Sequence, residues 1–354
     1  MPYGTLSTFD TLAASQQTVI DFGEDQAFAG IDALYAAHNE IMREQLAALV
    51  DFTTDQLRRY GGADQMNFDE VDEMGRADAQ KVTAGVNVGF PMRLHQLPLQ
   101  WTRRYFLNKT GAELAAQATS VLDAHRRRVS REVRRAIFNP TNNSSYVDRL
   151  MDQVVLPLRA LVNADSNAIP PGPNGETFDA STHTHYLARV STLAASDIDA
   201  VLETVREHFT QGTQFLYINR AQEAAIRAFT TRFTAYQSVQ IIPADNTQRS
   251  NRTLDETNLY NRAIGVWDNG TEIWVKPWIP ANYMFTYLSG APRPLALRER
   301  RPGSSNLIVA AEDEQYPLRA RFAEAEFGVG VWTRTNGAVL YTGGTSYVAP
   351  TITD

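Results

Sequence analysis

The stretch NKTGAELAAQATSVLDAHRRRVSREVRRAIF, Asn108–Phe138, constrains this chain more than any other. At roughly 100° per residue, Ala115, Ala118, Leu122, Val129, Val133, Ala136 and Ile137 fall on one apolar stripe. Asn108 or Thr110 can cap the start, and Asn139-Pro140 marks the end. A helix of this length spans roughly 45 Å at 1.5 Å per residue. That is a strut, and whatever the chain folds into must be arranged along it. Six arginines lie between Arg126 and Arg135. Most fall away from the stripe, with Arg126 the exception.

An arginine-rich helix raises the question of nucleic acid. The net charge of -7 argues against a general affinity, because phosphate binding is driven by an excess of Lys and Arg. Asp123 and Glu132 also interrupt the basic run. Only three of the 33 basic residues are lysine, a skew that reads as coding bias. The chain has no cysteine, which excludes disulfides, thiolate zinc sites and thiol catalysis together. With 354 residues, two or more subdomains are expected. The first residues carry no basic and apolar leader, which predicts no signal peptide. No run of about 18 apolar residues is present, so no membrane span is expected.

Residues 1–27 are aperiodic and read as an extended arm. Gly30–Tyr60 shows helical spacing, ended by Gly61-Gly62. An acidic loop follows, with Asp69, Glu70, Asp72 and Glu73. Val82, Ala84, Val86, Val88 and Phe90 alternate as a strand does, Pro91 breaks the run, and a second extended stretch reaches Trp101. Together they read as a long two-stranded excursion. Further on, the proline-rich loop near 168–178 precedes a helix over Ser196–Phe209, with a capping box from Ser196 to Asp199. Gln214–Asn219 reads as a buried strand, Ala221–Phe229 as a helix, and Asp268-Asn269-Gly270 as a hairpin turn. Three β-like runs close the chain, with Asn336-Gly337 turning the second into the third. The fold class is α+β.

This order resembles the major capsid proteins of tailed bacteriophages, the Hong Kong 97 fold, in its actinophage-type members. VGFPMRLHQLPLQWTRRYF is similar to the second half of that family's extended loop. GAELAAQATSVLDAHRRRVSREVRRAIFNP resembles its spine helix. IPPGPNGETFDASTHTHYL with the helix and strand after it resembles the start of its axial domain. GTEIWVKPWIPANYMFTYL and FAEAEFGVGVWTRTNGAVLYTGG resemble its closing strands. The resemblance implies an N-terminal arm and helix over 1–60 and an extended loop over 61–107. It implies a peripheral domain with the spine helix over 108–175 and an axial domain over 176–290. Residues 291–354 would be closing strands of the peripheral domain and the C-terminus. It implies a non-enzymatic shell protein of the virion, assembled in the host cytoplasm as hexamers and pentamers. Portal and scaffolding proteins would be partners, and double-stranded DNA would be held by weak non-specific contact. An encapsulin, a cellular compartment of the same fold around an enzyme, is the alternative. A soluble enzyme is the third, and no catalytic constellation supports it.

Individual residues follow from these readings. The family's cross-linking members use an extended-loop lysine, which singles out Lys81; the bland alternative is a solvated lysine. Of Trp101, Trp267, Trp274, Trp278 and Trp332, Trp101 is the preferred interface anchor, beside Arg103 and Arg104. Arg127, Arg128 and Arg131 are expected to bridge subunits. Arg298, in the run Arg293–Arg301, is expected to pair with a neighbour's acidic loop. His183-x-His185, with Asp179 nearby, has two imidazoles at ligand spacing but no third ligand at useful spacing. No metal, cofactor or catalytic residue is therefore assigned. Gly328 and Gly330 in FGVGVW lie in a strand pattern and lack the rest of a dinucleotide fingerprint.

Overall fold

A computed structural model describes residues 3–61, 70–78, 85–150, 153–190, 192–236 and 261–352. The chain starts with helices α1 (Tyr3–Ala14), α2 (Val19–Phe22) and α3 (Glu24–Leu46), then strands β1 (Val50–Thr53), β2 (Leu57–Tyr60), β3 (Val86–Gly89) and β4 (Leu94–Thr102). Helices α4 (Arg103–Asn108) and α5 (Gly111–Phe138) lead to β5 (Asn143–Asp148), β6 (Val154–Leu158) and β7 (Tyr186–Ala188). Helix α6 (Ala195–Arg206), β8 (Gln214–Ile218), α7 (Glu223–Arg227) and β9 (Phe233–Ala235) follow. The remainder is β10 (Arg262–Trp267), β11 (Glu272–Val275), β12 (Tyr283–Leu288), β13 (Leu295–Glu299), β14 (Ile308–Gln315), β15 (Leu318–Val331) and β16 (Ala338–Tyr341).

Helix α5 begins where the sequence indicates. Thr110 accepts from Glu113 N, and Glu113 accepts from Thr110 N, a reciprocal box that satisfies two otherwise orphan donors. Its apolar stripe is divided between two cores. Leu114, Ala115, Ala118, Val121 and Leu122 pack with α1, α2, α3 and β4. Val129, Val133, Ile137 and Phe138 pack with β12, β13 and β15. Ala136 is only partly buried.

Two main sheets flank this helix. In the first, β15 pairs along its N-terminal part with β14 on one side and β4 on the other. Its last residues pair with β13, which pairs in parallel with β1. The second has seven strands in the order β7-β16-β12-β8-β11-β10-β9. Helix α6 covers it with Ile198, Val201, Leu202 and Val205.

Several expectations change. Of the expected extended arm 1–27, residues 3–27 are helical instead: α1, α2 and the start of α3 fold back on α5, with Leu12, Val19 and Ala27 fully buried. Glycine makes this contact possible. A Cβ at Gly111 would lie 2.8 Å from Leu12 Cδ1 and 3.1 Å from its carbonyl oxygen. The helix expected over Gly30–Tyr60 starts at Glu24 and ends at Leu46, and β1 and β2 take up its end, since pairing with β13 and β3 overrides helical propensity. The stretches on either side of Pro91 do not pair with each other: β3 pairs with β2, and β4 with β15. The α6 box lies two residues earlier than expected, with Asp197 accepting from Ala194 N. Asn336-Gly337 is not a hairpin turn but the passage from one sheet to the other, where Asn336 Nδ2 donates to the carbonyls of Leu288 and Pro292. Strand β14, rich in Ala and acidic residues, carries no clear apolar alternation and escapes the sequence reading. Gly328 serves packing, since a Cβ there would sit 2.2 Å from the Pro91 carbonyl oxygen.

Truncating the stripe in either core should be costly. Leu122→Ala and Ile137→Ala are each expected to lower the unfolding free energy by about 2–5 kcal/mol. Exposed Arg127→Ala should change it by less than about 0.5 kcal/mol. Urea unfolding midpoints check both statements, and equal midpoints for all three variants would contradict the division of the stripe.

Candidate functional site

The arginine run of α5 is turned inward more than its sequence implies. Glu132 is 2% exposed and lies 3.3 Å from Arg135, 3.4 Å from Arg128 and 3.9 Å from Arg93. A buried carboxylate needs such company. Arg128 also donates to His95 Nδ1 at 3.0 Å, and Arg131 is buried. Arg128 and Arg131 were expected to bridge subunits; in the subunit itself they are engaged around Glu132 or enclosed. Arg126 pairs at the surface with Asp123 at 3.2 Å. The Arg127 side chain is exposed and forms no hydrogen bond or ion pair among the described residues.

Two further assignments are corrected. Trp101 is not an interface anchor. It is 5% exposed, its ring lies 5.7 Å from that of Phe28, and its Nε1 donates to Gln117 Oε1 at 2.7 Å. The cause is visible along β4, where His95, Leu97, Leu99 and Trp101 alternate onto the face that meets α5. Arg298 does not reach for a neighbour's acidic loop. Its Nη1 donates to Asp148 Oδ2 at 2.6 Å and to the Phe90 carbonyl at 2.9 Å, with side chains 1% and 0% exposed. This pair joins β13 to the end of β5. Nearby Arg300 is likewise taken up within the subunit, by Glu326. Arg103 is exposed and pairs with Glu24 at 3.4 Å, and Arg104 is exposed with no partner among the described residues. Lys81 lies outside the described residues.

All six histidines fall into two groups. His38 on α3 and His125 on α5 meet with Nε2 to Nδ1 at 2.9 Å, and the rings of His95 and His125 both pack on Phe327. Burial, reinforced by Arg126, lowers His38 to about 4. Burial, then His38, lowers His125 to about 4.

The second group is His183, His185 and His208, with Glu207. The segment before β7, bridged at Thr184 to Asn163, brings His183 and His185 to one place. His185 is fixed on both sides, its N–H to the Val162 carbonyl and its carbonyl to Val339 N–H. Glu207 and His208 come from the turn that ends α6, where their N–H groups donate to the carbonyls of Glu203 and Val205. The three Nε2 atoms lie 3.1, 3.1 and 3.2 Å apart. Glu207 Oε1 is 3.3 Å from His183 Nε2 and 3.9 Å from His208 Nε2. Burial holds His185 well below the usual imidazole range, and burial, then His183, lowers His208 to about 3. Burial, then Glu203, raises Glu207 to about 7. Sequence spacing pointed to the first two histidines alone. Glu207-His208 is 22 residues beyond His185, and only the fold brings it back. Asp179, expected nearby, is exposed and accepts from Ser181.

No protein-family model matches the chain, and no curated protein matches it. Solved structures do. One from Mycobacterium phage Patience aligns with a TM-score of 0.66 at 21% identity, covering 90% of this chain and 88% of that one. The cyanophage A-1(L) capsid asymmetric unit aligns at 0.49 and 12% identity, covering 85% and 92%. The holo-SrpI encapsulin complex from Synechococcus elongatus PCC 7942 aligns at 0.42 and 11%, covering 87% and 90%. The first shows a shared fold over nearly the whole chain, and that fold is the α+β Hong Kong 97 arrangement expected from the sequence.

Two outcomes are expected. Asp148→Asn strands the buried Arg298 and should cost about 3–5 kcal/mol, whereas Asp148→Leu with Arg298→Met should be close to neutral; chemical denaturation of the three proteins separates these. The buried His38–His125 pair is neutral in the fold and titrates near 6.5 when unfolded, so the unfolded chain binds more protons between these values. Stability should therefore fall as pH drops from about 6.5 to about 4, with no further loss from this pair below that range. Urea midpoints across this window should show a shallower fall for His38→Gln.

Proposed function

We propose that this chain is the major capsid protein of a tailed bacteriophage, assembling as hexamers and pentamers into the icosahedral shell around double-stranded DNA. The observation that carries this is the fold shared with the Mycobacterium phage Patience structure across 90% of the chain. The physical features are consistent with it. The chain is acidic, and its arginines are largely paired inside the subunit, so contact with packaged DNA is weak and non-specific.

On this reading the first sheet with α5 is the peripheral domain and the seven-stranded sheet the axial one, with β16 crossing back into the latter. Arg104 and Arg127 are among the exposed cations available to neighbouring subunits, with Arg103 beside Arg104; Lys81, outside the described residues, is kept as a candidate contact on the same reading. Asp313 and Glu314 on the exposed strand β14 offer opposite charge. Exposed Leu94, Leu107 and Val155 would be covered on assembly. Portal and scaffolding proteins are the further partners, the virion the location and the host cytoplasm the place of assembly.

Electron microscopy of the expressed protein, alone and with its neighbouring scaffold gene, should show closed shells with pentameric and hexameric units. A monodisperse monomer under both conditions would refute the proposal. Nuclease-protected DNA inside particles from infected cells separates a phage shell from an encapsulin, which would hold an enzyme instead. Arg104→Glu with Arg127→Glu should lower the yield of shells while leaving the unfolding free energy, read by urea denaturation, within about 0.5 kcal/mol of the parent.

A further inference from the structure

The geometry points to a tetrahedral Zn2+ site formed by Nε2 of His183, His185 and His208 and a carboxylate oxygen of Glu207. This inference does not rest on the capsid reading. Its first support is the size of the triangle. Three nitrogens bound to one zinc at about 2.0–2.1 Å stand about 3.3 Å apart in tetrahedral geometry. The three Nε2 atoms stand 3.1–3.2 Å apart, and Glu207 Oε1 lies beside them, 3.3 Å from His183 and 3.9 Å from His208, within reach of the fourth corner.

The second support is a hydrogen-bonding contradiction that an ion removes. A carbonyl only accepts, so the 2.7 Å contact of His185 Nδ1 with the Gly337 carbonyl puts the proton on Nδ1. His185 Nε2 is then a bare lone pair aimed at the other two rings. Each of three neutral Nε2 atoms is either a donor or an acceptor. Any assignment of two roles to three mutually touching atoms leaves at least one like pair in contact. A cation at the centre takes all three lone pairs at once. The His185–Gly337 contact is also the support that histidine ligands ordinarily receive from a second hydrogen bond, fixing tautomer and ring direction.

The donor set chooses the ion. Three imidazoles and one carboxylate suit zinc, whereas calcium and magnesium ask for oxygen ligands. Copper(II) prefers a square-planar arrangement, which a compact triangle capped by a carboxylate does not offer. The positive charge nearby is already neutralised, since Arg334 pairs with Asp165 at 2.7 Å. With four protein ligands, the site is of the closed, structural type. It would fasten the approach to β7 and the end of α6 to one another and, through Gly337, to the passage between the two sheets. The partly exposed His183 and Glu207 give the ion its entry path.

The test uses tag-free, full-length protein stripped with a chelator and dialysed. Titration with Zn2+ against a chromophoric competitor should give one ion per chain, and Co2+ should give the visible absorption of tetrahedral coordination. Zn2+ should raise the thermal midpoint of the parent protein. His183→Ala, at a partly exposed position, should fold and lose the stoichiometric binding, the cobalt spectrum and the thermal shift. Glu207→Gln should weaken binding and alter the cobalt spectrum. The proposal fails if the stripped parent, folded by circular dichroism, takes up neither ion stoichiometrically. It fails equally if folded His183→Ala binds as the parent does.

Discussion

Two of the hydrophobic cores in this molecule are arranged around one apolar stripe that serves both. Helix α5 gives Leu114–Leu122 to the N-terminal helices and β4, and Val129–Phe138 to the strands β12, β13 and β15. Neither core closes without it. Burial of apolar surface is non-directional, so it cannot by itself hold two cores in register along about 42 Å of helix. The directional contacts do that. Glu132, clasped by Arg93, Arg128 and Arg135, ties the second half of the helix to the segment before β4. Arg321, with Asp32 and Glu312, ties β15 to α3 and β14. The buried Arg298–Asp148 pair does the same for β13 and β5.

This accounts for the fate of the arginines. A run of six on a helix appears from the sequence as a surface. In the fold, the helix turns so that its apolar stripe and buried Glu132 face inward, which draws Arg128 and Arg131 in with them. Only residues on the far side, such as Arg127, stay free. Buried ion pairs add little net stability over apolar substitutes, yet leaving one partner alone is costly. Their effect is therefore on specificity: the sheet, hairpin and helix can meet in only one register without stranding a charge.

The long helix, the β10–β11 hairpin, α6 and the strand β8 were legible because each depends on local pattern: period 3.6, a turn sequence, or an unbroken apolar run. The misreadings share a different cause. Residues 1–27 have little periodicity of their own, and from Tyr3 onward they become helical against α5, where Gly111 leaves room for Leu12. Trp101 was placed outside because β4 seemed to lack a core. Pairing with β15 gave it one. Arg298 looked available because its partner Asp148 is 150 residues away. Each miss is a contact between distant segments, which no spacing rule within one segment contains. The candidate site was half legible in the same way, His183-x-His185 by strand period and Glu207-His208 only through the fold.

The two histidine groups show why equal burial need not mean equal chemistry. His38 and His125 form a pair, and a pair has a solution: one ring donates, the other accepts, at 2.9 Å. Burial then favours two neutral rings, although one outer ring N–H stays buried without a partner among the described residues. The group at 183, 185 and 208 is a triangle, and a triangle of single-role atoms has no such solution. Its members are not free to turn away, because His185 is held at Gly337 and its backbone is locked to Val162 and Val339, while Phe178 packs on His183 and His208. A rigid frame that aims three lone-pair positions at one point, beside a carboxylate, carries an unfavourable contact when empty of charge and a favourable one around a dication. Mutual contact of three Nε2 atoms, rather than burial, distinguishes this candidate binding site from the His38–His125 packing contact.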